Sequence, residues 1–127
     1  MAVAYHSDMR KIGPDAQIVA VTHQWGDYYT ARVKAAMDGT WKTGSVWGGV
    51  KDGMIRVGEF GPKVPKNVQD EILAKQKAVG SGQLQPFTGP ITDNEGKLWV
   101  PAGQSLTDAQ ILTMNYLVQG VVGRVNR

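Results

Sequence analysis

Residues 23–61, HQWGDYYTARVKAAMDGTWKTGSVWGGVKDGMIRVGEFG, contain the strongest structural signals of this chain. Apolar residues recur there at helical spacing, namely Tyr29, Val33, Ala36 and Met37. Charged residues fill most of the other side, so the pattern predicts an amphipathic helix that packs on one face. Asp27 suits the positive end of the helix dipole, and Gly39 suits a left-handed cap. The helix is therefore predicted over residues 26–38.

A short apolar run precedes this helix. Residues 17–22, QIVAVT, are rich in β-branched side chains and too few for an independent helix, so they predict a buried strand. Residues 23–25, HQW, then fall at the carboxyl end of that strand, where open α/β sheets bind small molecules. At the start of the chain, the apolar residues 1–5, MAVAY, run into polar HSDM in the same way. The two turns are expected to line one cleft.

Two hairpins are predicted later in the chain. The first joins residues 45–47 to residues 54–57 through the glycine-rich tip GGVKDG, whose glycines allow positive φ. The second joins residues 91–92 to residues 97–100 through the turn sequence DNEG.

Two further helices are predicted. The first follows the connector FGPKVP and has a repeating apolar side made of Val68, Ile72, Leu73 and Val79. Asn67 is the expected cap of this helix, Asp70 and Glu71 are expected in its first turn, and residues 80–82, GSG, end it.

The last helix is expected to open at Ser105 or Thr107 and to end at Gly120. Its inward side is expected to consist of Ile111, Met114, Leu117 and Val118. The fold class is α/β, and the predicted order is β-β-α-β-hairpin-α-β-hairpin-α.

The composition is that of an ordinary globular domain, with 127 residues, 42% hydrophobic and 20% charged, which fits one domain. The formal charge is +3, and the basic residues are scattered, so nucleic acid is not an expected partner. The chain has no cysteine, which excludes disulfides, thiolate nucleophiles and cysteine-based zinc sites. Neither a signal-peptide pattern nor an apolar run of membrane-spanning length is predicted.

Several motifs occur together: AYHSDM at residues 4–9, WGDYY at 25–29, KDGM at 51–54, FGPKVP at 60–65 and PFTGPI at 86–91. In combination they resemble the C-terminal part of the basic membrane protein (BMP) family of ABC transporter substrate-binding proteins, which are similar to the purine nucleoside receptor lipoproteins. The resemblance covers nearly the whole chain. It implies a type I periplasmic-binding-protein fold, in which two Rossmann-like lobes joined by a hinge hold the ligand between them.

The resemblance also implies a place for each segment. Residues 1–24 would end one lobe, and residues 25–127 would cross the hinge and return to the other lobe. Both lobes would be incomplete, because members of the family are much longer than this chain. Sheet edges and apolar faces would then be exposed, which favours a homodimer or a swapped assembly. For the full-length family member, the resemblance implies a periplasmic or membrane-anchored extracytoplasmic location and an ABC transporter permease as partner.

The resemblance implies ligand-binding residues at the two strand ends. In the nucleoside-binding relatives, an Asp at the position of His6 holds the ribose hydroxyls, and a Lys near the position of Trp25 assists it. Here imidazole and indole offer flat faces and single polar atoms instead of a bidentate acceptor for a diol. A purine base such as adenine is therefore expected rather than a nucleoside. The expected ligand-binding residues are His6, Ser7, Asp8, Trp25 and Gly26.

In this interpretation Trp25 stacks on the purine, and His6 or Asp8 bonds its edge nitrogens. Each residue also has an ordinary structural interpretation: a Trp before a helix often packs, and Asp8 after Ser7 is a common turn former. His23 is a weaker candidate, because a single His at a strand end is usually only partly exposed. Packing in the core or between lobes is expected for the remaining tryptophans, Trp41, Trp47 and Trp99.

Motifs for catalysis are absent from the sequence: it has no G-x-S-x-G, H-E-x-x-H, P-loop or G-x-G-x-x-G, so an enzyme is not expected. Two His without a third fixed ligand do not predict a metal site, and no cofactor is expected. The predicted function is that of a solute-binding component of an ABC transporter, which captures a purine base or nucleoside for uptake. The alternative is a truncated fragment that binds nothing and acts only as an oligomeric structural or interaction module.

Overall fold

The structure, a computed structural model, describes residues 1–125. Its contacts form two units, Met1–Leu84 and Gln85–Arg127. The first unit contains a three-stranded sheet in the order β1-β2-β3. Its strands and helices are β1 (Ala2–His6), β2 (Gln17–His23), α1 (Trp25–Met37), β3 (Ile55–Gly58) and α2 (Lys66–Gly80).

Strand β2 is the centre of the first unit, as its apolar β-branched sequence predicts. It pairs in parallel with β1 and antiparallel with β3. Val19 is 5% exposed and Ala20 is fully buried. The parallel pairing brings the carboxyl ends of β1 and β2 to the same edge of the sheet.

Helix α1 begins and ends one residue before the predicted bounds, with Asp27 in its first turn and Gly39 following at a φ of 67°. The prediction that its apolar side is packed is wrong for the described residues. Tyr29, Val33 and Met37 are 58%, 60% and 82% exposed. The amphipathic pattern is present, but neither the sheet nor α2 lies against α1.

The first predicted hairpin is not formed. Residues 45–47 are irregular, and residues 49–54 turn the chain, with the Met54 amide donating to the Gly49 carbonyl at 3.0 Å. Strand β3 pairs with β2 instead, because the buried seven-residue β2 offers a longer hydrogen-bonding partner than a three-residue segment. The observed order is β-β-α-β-α-β-β-α, and the predicted α/β class is confirmed.

Helix α2 begins one residue earlier than its predicted cap. Pro65 occupies the N-cap position with an extended ψ of 149°, and Asn67 lies inside the first turn. The prediction that Asp70 and Glu71 lie in the first turn is wrong for the same reason. Proline has no side-chain acceptor for the amides of the first turn, and no side-chain cap hydrogen bond is formed here.

The second unit contains the predicted second hairpin. Its strands β4 (Ile91–Thr92) and β5 (Leu98–Val100) pair antiparallel. The buried Asp93 carboxylate accepts hydrogen bonds from the Trp99 indole nitrogen at 2.7 Å and from the Lys97 amide at 2.8 Å. The hydrogen bond from Trp99 lowers the pKa of Asp93 below its ordinary value. The Asp93 side chain therefore fixes the hairpin tip.

The last helix is shorter than predicted. Helix α3 spans Asp108–Leu112, so Met114, Leu117 and Val118 lie beyond it. Thr107, one of the two predicted caps, is the N-cap, and its partner in the capping box is Gln110. Trp99 stacks on Tyr116 at 4.4 Å, but Trp41 and Trp47 are 53% and 56% exposed and lie outside the core of the described units.

Candidate functional site

Two histidines meet where β1 and β2 end. His6 is the last residue of β1 and pairs with Thr22, and His23 is the last residue of β2. Nδ1 of His6 lies 2.7 Å from Nε2 of His23, a hydrogen-bond distance. The ring centres are 4.8 Å apart, and the ring planes are inclined by 29°. The other two ring nitrogens, Nε2 of His6 and Nδ1 of His23, have no hydrogen-bond partner among residues 1–125.

The histidine pair belongs to a longer row of rings, which we call the aromatic row. The His23 and Trp25 rings are 5.3 Å apart and inclined by only 21°. The Tyr5 and His6 rings are 3.8 Å apart, and the first turn of α1 adds two tyrosines within 6 Å of Trp25. The aromatic row consists of Tyr5, His6, His23, Trp25, Tyr28 and Tyr29.

The aromatic row is open to solvent. Trp25 is 42% exposed and Tyr5 is 65% exposed. At the far end, the Arg32 guanidinium lies 5.1 Å from the centre of the Tyr28 ring, within cation–π range. The row therefore presents flat aromatic surface together with two imidazole nitrogens that can bond a ligand.

The backbone of His6 is unusual. Its φ is 71°, in the left-handed region that non-glycine residues rarely adopt. Such a conformation costs on the order of 1 kcal/mol and is found most often at functional sites. It turns the chain sharply at the end of β1 and sends residues 7–16 back along the sheet.

Asp8 lies in this returning segment and is engaged elsewhere. Its carboxylate accepts hydrogen bonds from Nε of Arg10 at 2.9 Å and from Nε2 of Gln17 at 3.1 Å. The hydrogen bonds from Arg10 hold the pKa of Asp8 well below its usual range. Gln17 begins β2 and His23 ends it, about 20 Å apart along an extended strand. Asp8 is therefore anchored toward the opposite end of β2 from the aromatic row.

Gln17 is the centre of this anchoring network. Its side chain is 3% exposed, its Oε1 accepts a hydrogen bond from the Met9 amide at 2.8 Å, and its amide nitrogen donates to the Glu59 carbonyl. Arg10 also pairs with the Glu59 carboxylate. These contacts tie the segment after β1 to the segment after β3.

The structure thus brings together two of the five predicted site residues, His6 and Trp25, with His23 between them. Ser7 is exposed just beyond His6. Gly26 is the second residue of α1, and a Cβ at this position would meet no atom within 4 Å. Asp8 stands apart from the group.

Sequence reasoning missed most of the aromatic row. Tyr28 and Tyr29 stand three and four residues after Trp25, a spacing that places them on the same side of a helix. His23 is a weaker candidate from sequence because a single His at a strand end is usually only partly exposed, but its strand pairs in parallel with β1. The periodicity and the strand pairing together were signals that could have found all three residues.

The chemistry of the site is that of a binding surface. Among residues 1–125, no group of three or more His, Cys, Asp or Glu side chains is arranged to hold a metal. A cavity of about 700 Å³ in the first unit lies between β3 and α2 and has a largely apolar lining. The aromatic row is instead an open surface at a sheet edge that suits a flat heteroaromatic ligand.

Comparison with known families identifies the class of protein. The model of a family described as ABC transporter substrate-binding protein, PnrA-like (Bmp), matches residues 1–95. The chain belongs to this BMP family. The predicted family is therefore confirmed. The family is described by substrate binding for transport rather than by catalysis.

Two curated proteins are similar to this BMP-family chain. A purine-binding protein of Brucella abortus (strain 2308) is 42% identical over 115 residues, which cover 91% of this chain and 33% of the relative. A putative ABC transporter glucose-binding protein of Haloferax volcanii is 22% identical over 121 residues, which cover 95% of this chain and 28% of the relative. This BMP-family chain thus spans about a third of the length of the curated relatives it matches.

A solved structure supports the fold. The crystal structure of a transcriptional activator of the comK gene from Bacillus halodurans superposes with a TM-score of 0.57 at 22% identity. The match covers 68% of this BMP-family chain and 30% of that protein. None of the helices among the described residues has the length and hydropathy to span a bilayer.

Proposed function

We propose that this chain is part of the solute-binding component of an ABC transporter and that its ligand is a purine base, with adenine as the first candidate. The observation that carries the proposal is the aromatic row at the carboxyl ends of two parallel strands. Ligands of open α/β sheets bind at this edge. The similarity to a purine-binding protein supports the same ligand class.

The engagement of Asp8 supports a base over a nucleoside. A ribose diol is best held by a free carboxylate that accepts two hydrogen bonds. The Asp8 carboxylate already accepts hydrogen bonds from Arg10 and Gln17, and the aromatic row itself contains no carboxylate. A planar base needs only ring surface and a few edge contacts.

Each site residue has a proposed role. The Trp25 ring stacks on the base, which contributes about 1 to 3 kcal/mol by comparison with other base–aromatic contacts. Nε2 of His6 bonds an edge nitrogen of the base, and His23 holds the His6 ring through the hydrogen bond between them. The Ser7 hydroxyl and the Gly26 backbone flank the ligand. Asp8 keeps the segment after His6 in place.

Titration of the chain with adenine, hypoxanthine, adenosine and inosine tests this proposal, with thermal unfolding and tryptophan fluorescence as readouts. A ligand at one hundred times its dissociation constant stabilises the folded form by about 2.7 kcal/mol, which a melting curve detects. Saturable shifts with the bases and weaker shifts with the nucleosides are expected. Equal shifts for adenine and adenosine contradict the preference for a base.

A second function is favoured by the exposed side of α1. Tyr29, Val33 and Met37 are more than half exposed, which is typical of an interaction surface. The chain would then be a non-binding fragment that acts as an oligomeric structural or interaction module. In either case the chain by itself is expected to form homo-oligomers. A compact monomer in sedimentation at micromolar concentration contradicts that expectation.

The proposed function includes a cellular location and a protein partner. As a BMP-family substrate-binding protein, the full-length form would work on the extracytoplasmic side and deliver its ligand to an ABC transporter permease. Co-purification of the full-length form with a permease, dependent on the presence of purine base, tests this step.

A further inference from the structure

The contact between the two histidines can form in two directions. Nδ1 of His6 and Nε2 of His23 lie 2.7 Å apart, and a hydrogen bond between two neutral imidazoles needs one donor nitrogen and one acceptor nitrogen. If His23 donates, the proton of His6 is on Nε2, which can then donate to a ligand. If His6 donates, its Nε2 carries no proton and can only accept. The direction of this hydrogen bond therefore determines what His6 offers to a ligand.

No described residue fixes the direction of the hydrogen bond. The tautomer of a histidine is usually set by the hydrogen bond of its other ring nitrogen, often to a carboxylate or a backbone carbonyl. Nε2 of His6 and Nδ1 of His23 have no such partner among residues 1–125. The carboxylate that follows His6 most closely in the sequence, Asp8, accepts hydrogen bonds from Arg10 and Gln17 instead. Both directions are therefore available to the pair.

The neighbouring rings hold the pair in place without choosing a direction. The Tyr5 ring lies 3.8 Å from the His6 ring, and the Trp25 ring lies 5.3 Å from the His23 ring, centre to centre. Contacts of this kind act through the ring faces and restrict where each imidazole lies. They do not distinguish a protonated ring nitrogen from an unprotonated one. The geometry of the pair is therefore fixed, while its polarity is reversible.

Reversal of the hydrogen bond moves protons without changing their number. The shared proton passes from Nε2 of His23 to Nδ1 of His6. One proton leaves Nε2 of His6 to water, and one proton from water joins Nδ1 of His23. Because His6 is exposed and His23 is partly exposed, water reaches this end of the sheet.

Purine bases differ in the hydrogen-bonding role of their 6-position. The 6-amino group of adenine donates, whereas the 6-oxo group of hypoxanthine or guanine accepts. We propose that the His6–His23 pair reverses its hydrogen bond to match this group, so that the site takes both 6-aminopurines and 6-oxopurines. The inference rests on the proposed binding of a purine base at the aromatic row. In it His6 contacts the base, and His23 is a positioning residue that sets the polarity of His6.

Two substitutions of His23 lock the pair in opposite directions. In His23→Glu the ionised carboxylate only accepts, so Nδ1 of His6 donates to it and Nε2 of His6 accepts from the 6-amino group of adenine. In His23→Lys the ammonium only donates, so Nε2 of His6 carries the proton and suits the 6-oxo group of hypoxanthine. Calorimetric titration is expected to show that the ratio of the two dissociation constants changes at least about tenfold in opposite directions, because the mismatched base leaves a polar group unpaired.

Matched controls separate the hydrogen bond from the added charge. His23→Gln has an amide that both donates and accepts, so it is expected to keep the ratio of the unchanged chain. Gln24→Glu and Gln24→Lys add the same charges one residue later, where the side chain bonds Thr22 at 3.2 Å rather than His6. Both are expected to leave the ratio unchanged. His23 and Gln24 are not buried, so all these variants are expected to fold.

Nitrogen-15 magnetic resonance reads the tautomer directly, because protonated and unprotonated ring nitrogens have different chemical shifts. With adenine bound, Nε2 of His6 is expected to be unprotonated. With hypoxanthine bound, the same nitrogen is expected to be protonated, and Nδ1 of His23 is expected to change in the opposite sense.

Two results overturn the inference and leave purine binding in place. One is a ratio of dissociation constants that is unchanged, or that moves the same way, in His23→Glu and His23→Lys. The other is the same tautomer of His6 with adenine and with hypoxanthine. Absence of saturable binding of either base by the unchanged chain overturns the proposed function, and this inference with it.

Discussion

The two ends of β2 are built in opposite ways. At the start of the strand, Gln17 is almost fully buried, and its amide group bonds Met9, Asp8 and Glu59. At the other end, His23 and Trp25 are partly exposed, and two imidazole nitrogens have no partner within the described residues. Satisfied and buried polar groups stabilise a fold, whereas open ring faces and free nitrogens are available to a ligand. Stability and recognition are therefore expected to depend on different ends of one strand.

The largest expected effect is on stability at the Gln17 end. Gln17→Ala leaves the Met9 amide and the Glu59 carbonyl without their side-chain partners in a buried place, which costs about 2 to 3 kcal/mol of unfolding free energy. Chemical denaturation followed by circular dichroism measures the loss. Gln24→Ala, just beyond the other end of β2, is the matched control and is expected to change the unfolding free energy by less than about 0.5 kcal/mol. Similar losses for both variants contradict the contrast between the ends.

The next effect is on binding at the aromatic row. Trp25→Ala removes the proposed stacking surface and is expected to weaken adenine binding by about 10- to 100-fold, in line with the 1 to 3 kcal/mol of base–aromatic stacking. Trp47→Ala, at another half-exposed tryptophan, is the control and is expected to leave the affinity unchanged. Calorimetric titration measures the dissociation constant of adenine for both variants. If Trp47→Ala weakens binding as much as Trp25→Ala, the ligand does not stack on the aromatic row.

Substitutions of His6 are expected to separate stability from binding at one residue. Because the φ of His6 is positive, His6→Gly relieves the backbone strain and is expected to be about 1 kcal/mol more stable than His6→Ala, which retains it. Both variants lose the imidazole and are expected to bind adenine equally weakly. Denaturation and titration on the same two proteins check the prediction, and equal stability of the two variants contradicts it.

The smallest expected effect is a pH dependence at Asp8. The hydrogen bonds from Arg10 lower the pKa of Asp8 in the folded chain. Its contribution to stability is therefore fully present above the unfolded carboxyl pKa of about 4 and is lost as the pH falls toward the lowered folded pKa. The difference in melting temperature between the chain and Asp8→Asn is expected to shrink in this acidic range. In an Arg10→Gln background, most of the pH dependence is expected to disappear.

Local patterns predicted the elements whose partners are near in sequence or need no partner at all. The β-branched run of β2 and the spacing and caps of α1 gave both elements within one or two residues. The turn sequence DNEG predicted the hairpin at residues 91–100. The strand predicted at residues 45–47 is not formed, because strand pairing depends on which sheet edge is available. Strand β3 pairs with the longer β2 instead.

The candidate site was predictable in part. The position after each strand pointed to His6 and Trp25, which lie in one row. The position of Asp8 apart from the row was not predictable, because the sequence pattern does not indicate the φ of 71° at His6, which turns the following residues away from the row. The exposure of the apolar side of α1 was also unpredictable, since such a side indicates the need for a partner but not whether the described residues contain it.

The closure of β3 by Gln76 limits how far the sheet can grow. A sheet with two free edges can polymerise without end, because every added molecule presents a new edge. Within residues 1–125, the Val57 amide at the β3 edge donates to Oε1 of Gln76, whereas no strand pairs with the outer side of β1. Two copies joined through their β1 strands would therefore leave only blocked β3 edges outside. Such a pairing is isologous and ends at two molecules. The hydrogen bond from the Val57 amide to Gln76 would thus prevent further copies from adding at the β3 edge, and so prevent fibre growth.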